Sequence, residues 1–182
     1  MLSLITFIPL IGAAVVALVP KAQARVVALV ASLVAFVASL GLLAGFDPAQ
    51  ASYQFVESAS WVPQLGIGYK MGVDGISLWL VLLTTFIFPV ALWFSGESIR
   101  EREKAYYALM LLMETATLGV FLALDMFLFY VFWEFALVPM YFIIGIWGGE
   151  RRIYASVKFF IYTMAGSVLM LIAILVLGIN AG

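Results

Sequence analysis

Three isolated acidic residues lie in a long apolar stretch of this sequence. Glu114, Asp125 and Glu134 are the only charged residues between positions 105 and 149. Glu134 lies within a segment long enough to cross a bilayer, where a carboxylate costs about 2.5–3.5 kcal/mol on insertion scales. An ionisable residue at such a depth indicates a proton or ion pathway. The structural alternative is a glutamate that is simply protonated or hydrogen bonded.

The composition restricts the chemistry that the chain can perform. The sequence is 66% hydrophobic and 10% charged, whereas soluble domains are about 45–50% apolar and about 25% charged. The net charge of −1 argues against nucleic-acid binding, which needs a basic surface. The sequence has no Cys and no His, which excludes disulfides, thiol catalysis, ordinary zinc sites and histidine relays. Proton chemistry must therefore use carboxylates, lysines, tyrosines and water.

Hydropathy predicts an all-α integral membrane protein with six spanning helices. Each predicted span is close to the ~20 residues that a hydrocarbon core of ~30 Å requires. The predicted spans cover residues 2–19, 26–45, 76–94, 105–124, 126–147 and 157–179. Ala22-Gln23-Ala24 resembles a signal-peptide cleavage site, but no basic residue precedes the first apolar run, so we interpret this run as a retained helix.

The distribution of Lys and Arg predicts the orientation of the helices. The first, third and fifth loops, with the start of the sixth helix, hold eight of the nine basic residues. The second loop holds only Lys70. Because cytoplasmic loops are enriched in Lys and Arg, we expect the odd-numbered loops in the cytoplasm and the N-terminus on the outer side.

One long connection, residues 46–75, lies on the predicted outer face. The segments 53–58 and 61–65 mix aromatic or β-branched residues with polar ones around a Ser-Ala-Ser sequence, which predicts a short β-hairpin. We interpret this loop as a structural lid rather than a substrate site. Asp74, at its end, is expected to cap the third helix.

The fourth and fifth predicted helices form a hairpin with Asp125 at its turn. Glu114 precedes Asp125 by 11 residues and Glu134 follows it by 9, so their predicted depths are about 16 and 14 Å from the turn. Whether the two glutamates face each other is left open by the sequence. Hydroxyl groups share both helix faces by the i±3, i±4 and i±7 spacing: Tyr107 and Thr117 for Glu114, Tyr130 and Tyr141 for Glu134.

Lys158 opens the sixth helix and has two interpretations. It either extends to the interface or joins a structural ion pair, or it receives protons from the cytoplasm. A buried glutamate placed between a second acid and a lysine could take up or release a proton as its partner moves.

Two long motifs resemble those of the antiporter-like membrane subunits of respiratory complex I. They are MGVDGISLWLVLLTT (71–85) and LDMFLFYVFWEFALVPMYFIIGIWGGERRIYASVKFFIYTMAGS (124–167). The resemblance covers the whole chain and favours the branch of the family that includes chain M of the bacterial enzyme, the equivalent of mitochondrial subunit four. A weaker resemblance links the chain to multisubunit cation/proton antiporters, which share the fold and the fifth-helix glutamate.

The resemblance implies a role for each candidate residue. The essential fifth-helix glutamate of the family falls on Glu134, the fourth-helix acid on Glu114, the acid at the start of the fifth helix on Asp125, and the sixth-helix lysine on Lys158. Family members have about 14 helices built on two inverted repeats of five. This chain therefore resembles a fragment or a truncated reading frame: residues 1–104 carry helices one to three, with the outer loop, and residues 105–182 begin the antiporter-like repeat.

The resemblance also implies partners. NADH, FMN, iron–sulfur clusters and quinone would be bound by other subunits, with no cofactor or metal on this chain. The expected surroundings are the bacterial inner membrane and neighbouring antiporter-like chains, with the N-terminus periplasmic. Three functions follow: a proton-translocating subunit of NADH:quinone oxidoreductase, a subunit of a sodium/proton antiporter, or a truncated membrane scaffold that does not pump.

Overall fold

The computed structural model describes residues 1–181, without side-chain detail at positions 65, 179 and 181. The helices are α1 (Leu2–Leu18), α2 (Lys21–Gly45), α3 (Gly75–Ser98), α4 (Glu103–Leu122), α5 (Met126–Trp147) and α6 (Arg152–Ala181). Two antiparallel strands, β1 (Gln54–Val62) and β2 (Ile67–Val73), lie between α2 and α3. Helices α2 to α6 are long and apolar enough to span a bilayer, and α1, with 17 residues, is apolar but shorter. The predicted multi-pass helical membrane fold is confirmed.

Two helices begin earlier than predicted. Helix α2 begins at Lys21 and α6 at Arg152, five residues before the predicted starts. Both additional segments contain basic residues, which hydropathy assigns to loops although Lys and Arg are good helix formers.

Helix α4 is the centre of the bundle. It packs against α1, α2, α3 and α5, whereas α6 packs against α5. In the apolar 18-residue stretch of α4, half of the residues are buried, compared with 11% in that of α6. Glu114, in the middle of α4, is therefore enclosed by protein, while much of the α6 surface is left for lipid or a neighbouring subunit.

Close helix contacts in the bundle depend on two glycines. A Cβ atom on Gly12 of α1 would lie 2.4 Å from the Cβ of Ala31 on α2, and one on Gly119 of α4 would lie 2.2 Å from the Phe132 ring on α5. Small residues allow membrane helices to approach this closely.

The bundle contains two apolar clusters separated by buried polar residues. The cluster at the end of the bundle near the β-hairpin includes Leu2, Ile5, Leu42, Met71, Val81, Leu118 and Leu122. The cluster at the far end includes Ala13, Ala28, Phe88, Leu92, Tyr107 and Leu111. Along α2, α3 and α4, the buried residues Ser32, Ser39, Thr84, Thr85, Glu114 and Thr115 lie between these clusters. We call these six residues the polar layer.

The predicted β-hairpin is present, but its predicted turn is wrong. The segments 53–58 and 61–65 were expected to form its two strands, whereas β1 runs straight through Ser58-Ala59-Ser60 to Val62. The chain reverses at Pro63–Leu65, a single 3-10 turn, and Gly66 follows it with φ of +66°. Pro63 favours the turn because its φ is fixed, and Gly66 adopts positive φ without steric cost.

Strand β1 holds the start of α1. The Glu57 carboxylate accepts hydrogen bonds from the backbone N–H groups of Leu2 (2.8 Å) and Ser3 (3.0 Å), and also contacts the Ser3 hydroxyl and the terminal ammonium of Met1. Partial burial opposes ionisation, but the hydrogen bonds from the ammonium and Ser3 prevail and lower the pKa of Glu57 to about 2. Glu57 thus satisfies the free N–H groups that every helix start leaves.

Asp74 caps α3, as predicted. Its carboxylate accepts hydrogen bonds from the backbone N–H groups of Ile76 (3.0 Å) and Ser77 (2.7 Å), and the Ser77 hydroxyl accepts one from the N–H of Asp74. The hydrogen bond from the Ser77 N–H is the largest influence on Asp74 and holds its pKa below the ordinary value.

Candidate functional site

The α4–α5 hairpin positions three of the four candidate residues. Helix α4 ends at Leu122 and α5 begins at Met126, so only three residues connect them. Asp125 is the N-cap of α5: its carboxylate accepts hydrogen bonds from the N–H groups of Phe127 (2.9 Å) and Leu128 (3.0 Å). Its second oxygen accepts a longer one from Gly68 of β2 (3.2 Å).

The β-hairpin fixes the turn between the two helices. The N–H of Leu124 donates to the Lys70 carbonyl oxygen at 2.8 Å, and Met71 forms a β-bridge with Ala123. Together with the Gly68–Asp125 hydrogen bond, these contacts attach β2 to the turn. The hairpin therefore holds both α1, through Glu57, and the α4–α5 turn.

Glu114 lies in the interior of the bundle. It is 0% exposed, and neither of its carboxyl oxygens has a hydrogen-bonding partner among the described residues. A buried carboxyl without a cationic partner is accommodated at lower free energy as the neutral acid. Glu114 is therefore suited to holding a proton away from bulk water.

Glu134 lies at a boundary between protein interior and surface. It is half-buried, and its Oε1 atom is buried without a hydrogen-bonding partner in the described structure. With Phe7 of α1 and with Trp61 and Tyr69 of the hairpin, it lines a groove of about 760 Å³. Apolar side chains form most of this groove, so Glu134 is an ionisable group in a largely apolar surface groove.

Two tyrosines share the face of Glu134, as the spacing predicts, but they have different surroundings. Tyr130 lies one turn before Glu134 on α5. Tyr141 packs against Phe160 of α6, with 5.4 Å between ring centres. Of the two hydroxyls, that of Tyr130 is therefore the nearer to Glu134 along the helix.

The structure does not join the two glutamates directly. No hydrogen bond links Glu114 to Glu134 among the described residues. Glu114 faces the interior of the bundle, whereas Glu134 lines the groove. The two glutamates therefore lie at a similar depth without contacting each other directly.

Lys158 lies on the surface of α6. Its side chain is exposed, and its Nζ atom lies 5.7 Å from the centre of the Tyr154 ring. Within the described part of the chain, it forms no ion pair with an acidic side chain. This position leaves Lys158 accessible to solvent, lipid headgroups or a neighbouring protein.

Ser32 was not among the residues predicted from the sequence. It lies on the buried face of α2, where all the buried residues except Leu42 are small: Ala24, Ala28, Ala31, Ser32, Ala35 and Ser39. Small residues repeated at helical spacing indicate a close helix contact. That stripe is the signal that could have identified Ser32 as a buried hydroxyl.

Comparison with known proteins agrees with the resemblance. Residues 123–182 match the family model described as NADH:quinone oxidoreductase/Mrp antiporter, TM. The chain is 50% identical, over its full length, to NADH-quinone oxidoreductase subunit M of Rhodobacter capsulatus, of which it covers 36%. The chain thus spans about a third of the length of this curated relative.

Solved structures show the same fold. Respiratory complex I from Thermus thermophilus with bound NADH contains a chain that is 28% identical, with a TM-score of 0.81 over 95% of this chain and 35% of that one. The Mrp complex from Dietzia sp. DQ12-45-1b gives a TM-score of 0.80 at 23% identity, over 94% of this chain and 19% of that one, and shows likeness of fold alone. Over its full length, the chain is therefore similar in sequence to a subunit M of NADH-quinone oxidoreductase and shares the fold of a chain of respiratory complex I.

Proposed function

We propose that this chain is a proton-translocating membrane-arm subunit of complex I. Electron transfer from NADH to quinone in other subunits would drive proton movement through its buried carboxyls. The observation that carries the proposal is Glu134, a half-buried acid with an unpaired buried oxygen in an apolar groove. It lies within the segment that matches the family model.

The candidate residues have distinct proposed roles. Glu134 would take up and release the transported proton, with the Tyr130 hydroxyl one turn before it on the same helix. Glu114 would hold a proton at the same depth inside the bundle. Asp125 would maintain the turn at the end of the path by capping α5, and exposed Lys158 would exchange protons or charge at the opposite surface.

The arrangement in the membrane forms part of the same proposal. From the basic loops we infer that the N-terminus and the β-hairpin lie on the periplasmic side of the bacterial inner membrane. Residues 105–182 would begin the antiporter-like repeat, and the exposed apolar surface of α6 would contact lipid or neighbouring antiporter-like subunits. Because Cys thiolates hold most iron–sulfur clusters and this sequence has no Cys or His, we assign the clusters, with NADH, FMN and quinone, to partner subunits.

Purification from native membranes tests the proposal. We expect the tagged chain to copurify with a large complex that contains iron–sulfur clusters and oxidises NADH. Sodium-dependent proton exchange by the purified assembly, without NADH oxidation, would instead identify a subunit of a cation/proton antiporter. A chain that purifies alone, with neither activity, would indicate a scaffold and overturn the proposal.

A further inference from the structure

Two members of the polar layer differ from the others. Ser39 and Thr85 hydrogen bond to each other at 2.8 Å, and Thr115 donates to the Leu111 carbonyl oxygen at 3.1 Å. In contrast, the Ser32 hydroxyl and both carboxyl oxygens of Glu114 have no partner among the described residues. Both side chains are 0% exposed, and buried polar groups in proteins are almost always hydrogen bonded.

The packing of α1, α2 and α4 brings together the helix segments that carry these two side chains. The three helices meet at Gly12 of α1. A Cβ atom at this position would touch both Ala31 of α2 and Leu111 of α4. Ser32 directly follows Ala31, and Glu114 lies nearly one turn after Leu111. The packing around Gly12 therefore brings the Ser32 hydroxyl into the neighbourhood of the Glu114 carboxyl, although no hydrogen bond joins them in this conformation.

Cations are remote from this pair. Helix α1 contains no ionisable side chain, and the charges of α2, Lys21 and Arg25, lie about three and two turns before Ser32. Glu134, at the same depth on α5, lines the groove. On α4, Glu103 and Lys104 lie near the start of the helix. A hydroxyl, and not a cation, is therefore the polar group that faces the Glu114 carboxyl.

We propose that Ser32 is a positioning residue for Glu114, donating a hydrogen bond from its hydroxyl to a carboxyl oxygen. A small rotation of either side chain would close this bond. A hydrogen bond donated to a carboxylate favours its charged form, so Ser32 would assist proton release from a site that is otherwise apolar. The inference deepens the proposed function and rests on it for the role of Glu114 in proton transfer.

Infrared spectroscopy of the full 182-residue chain in lipid bilayers tests the bond directly. A protonated buried carboxyl has a C=O stretching band that is separate from those of ionised acids and moves to higher frequency when a hydrogen bond is lost. We expect Glu114→Gln to remove one such band and Ser32→Ala to move that band to higher frequency. The inference is overturned if the Ser32→Ala band does not move, or if Glu114→Gln removes no band.

Ser39→Ala is the matched control. Ser39 lies two turns after Ser32 on the same buried face of α2 but is bonded to Thr85, so this variant should leave the Glu114 band in place. An equal shift in both variants would indicate general loosening of α2 and would also overturn the inference. Neither outcome depends on the pumping activity of Glu134 variants, so the two proposals can fail separately.

Discussion

Glu114 and Glu134 lie at equal depth on the two helices of one hairpin. Glu114 is eight residues before Leu122, where α4 ends, and Glu134 is eight residues after Met126, where α5 begins. At 1.5 Å per residue, each lies about 12 Å from its helix end. Glu114 is nevertheless fully buried, while Glu134 lines a groove. A proton that moves between them must therefore pass through intervening side chains or water.

The close contact between α4 and α5 should depend on Gly119. A side chain at this position would overlap the Phe132 ring, which also packs against Phe7 of α1 at 6.4 Å. We expect Gly119→Val to destabilise the chain by about 1–3 kcal/mol, the usual cost of overpacking, as measured by thermal unfolding in detergent. Gly166→Val is the control, because Gly166 faces open space. Equal unfolding temperatures for the two variants would contradict this account of the hairpin.

Glu57 should make stability depend on pH. Because the pKa of Glu57 is about 2 in the folded chain and 4.5 ordinarily, its stabilisation is fully present above about pH 4.5. It is lost as the pH falls through this window towards 2, since the unfolded state binds the proton more readily. We expect Glu57→Gln to lower stability by about 1–3 kcal/mol at pH 7 and to reduce the acid dependence of the unfolding temperature.

The control for Glu57 is an acid without these contacts. Glu101 is exposed, and Glu101→Gln should leave both the stability and its pH dependence close to those of the parent chain. If Glu57→Gln retains the full pH dependence between 4.5 and 3, Glu57 does not hold the start of α1 in the way that we describe.

The cap of α3 gives a separate prediction. Replacing Asp74 with Ala removes two hydrogen bonds to the helix start and should cost about 0.5–2 kcal/mol. Asp74→Asn keeps an accepting oxygen and should restore most of that stability. Chemical denaturation at neutral pH measures both variants, and an Asn variant as unstable as the Ala variant would show that the cap is not the cause.

Local signals in the sequence predicted much of this structure. Features that depend on contacts between distant residues were not predicted. Hydropathy identified the helices, and Asp74 formed the predicted cap of α3. The partnership of Glu57 with Ser3 joins residues 54 positions apart, and nothing near either residue indicates it. The proposed hydrogen bond from Ser32 to Glu114 depends on the packing at Gly12, which brings α2 next to α4.

Proton uptake by inverted membrane vesicles tests the central claim about Glu134 most directly. The vesicles should carry the chain in its native complex, with NADH as the driving substrate and Glu150→Gln, a change to an exposed acid, as the control. We predict that Glu134→Gln abolishes NADH-driven proton uptake while the chain remains inserted and assembled, and that Glu150→Gln pumps normally. Full proton uptake by the Glu134→Gln variant would contradict the account.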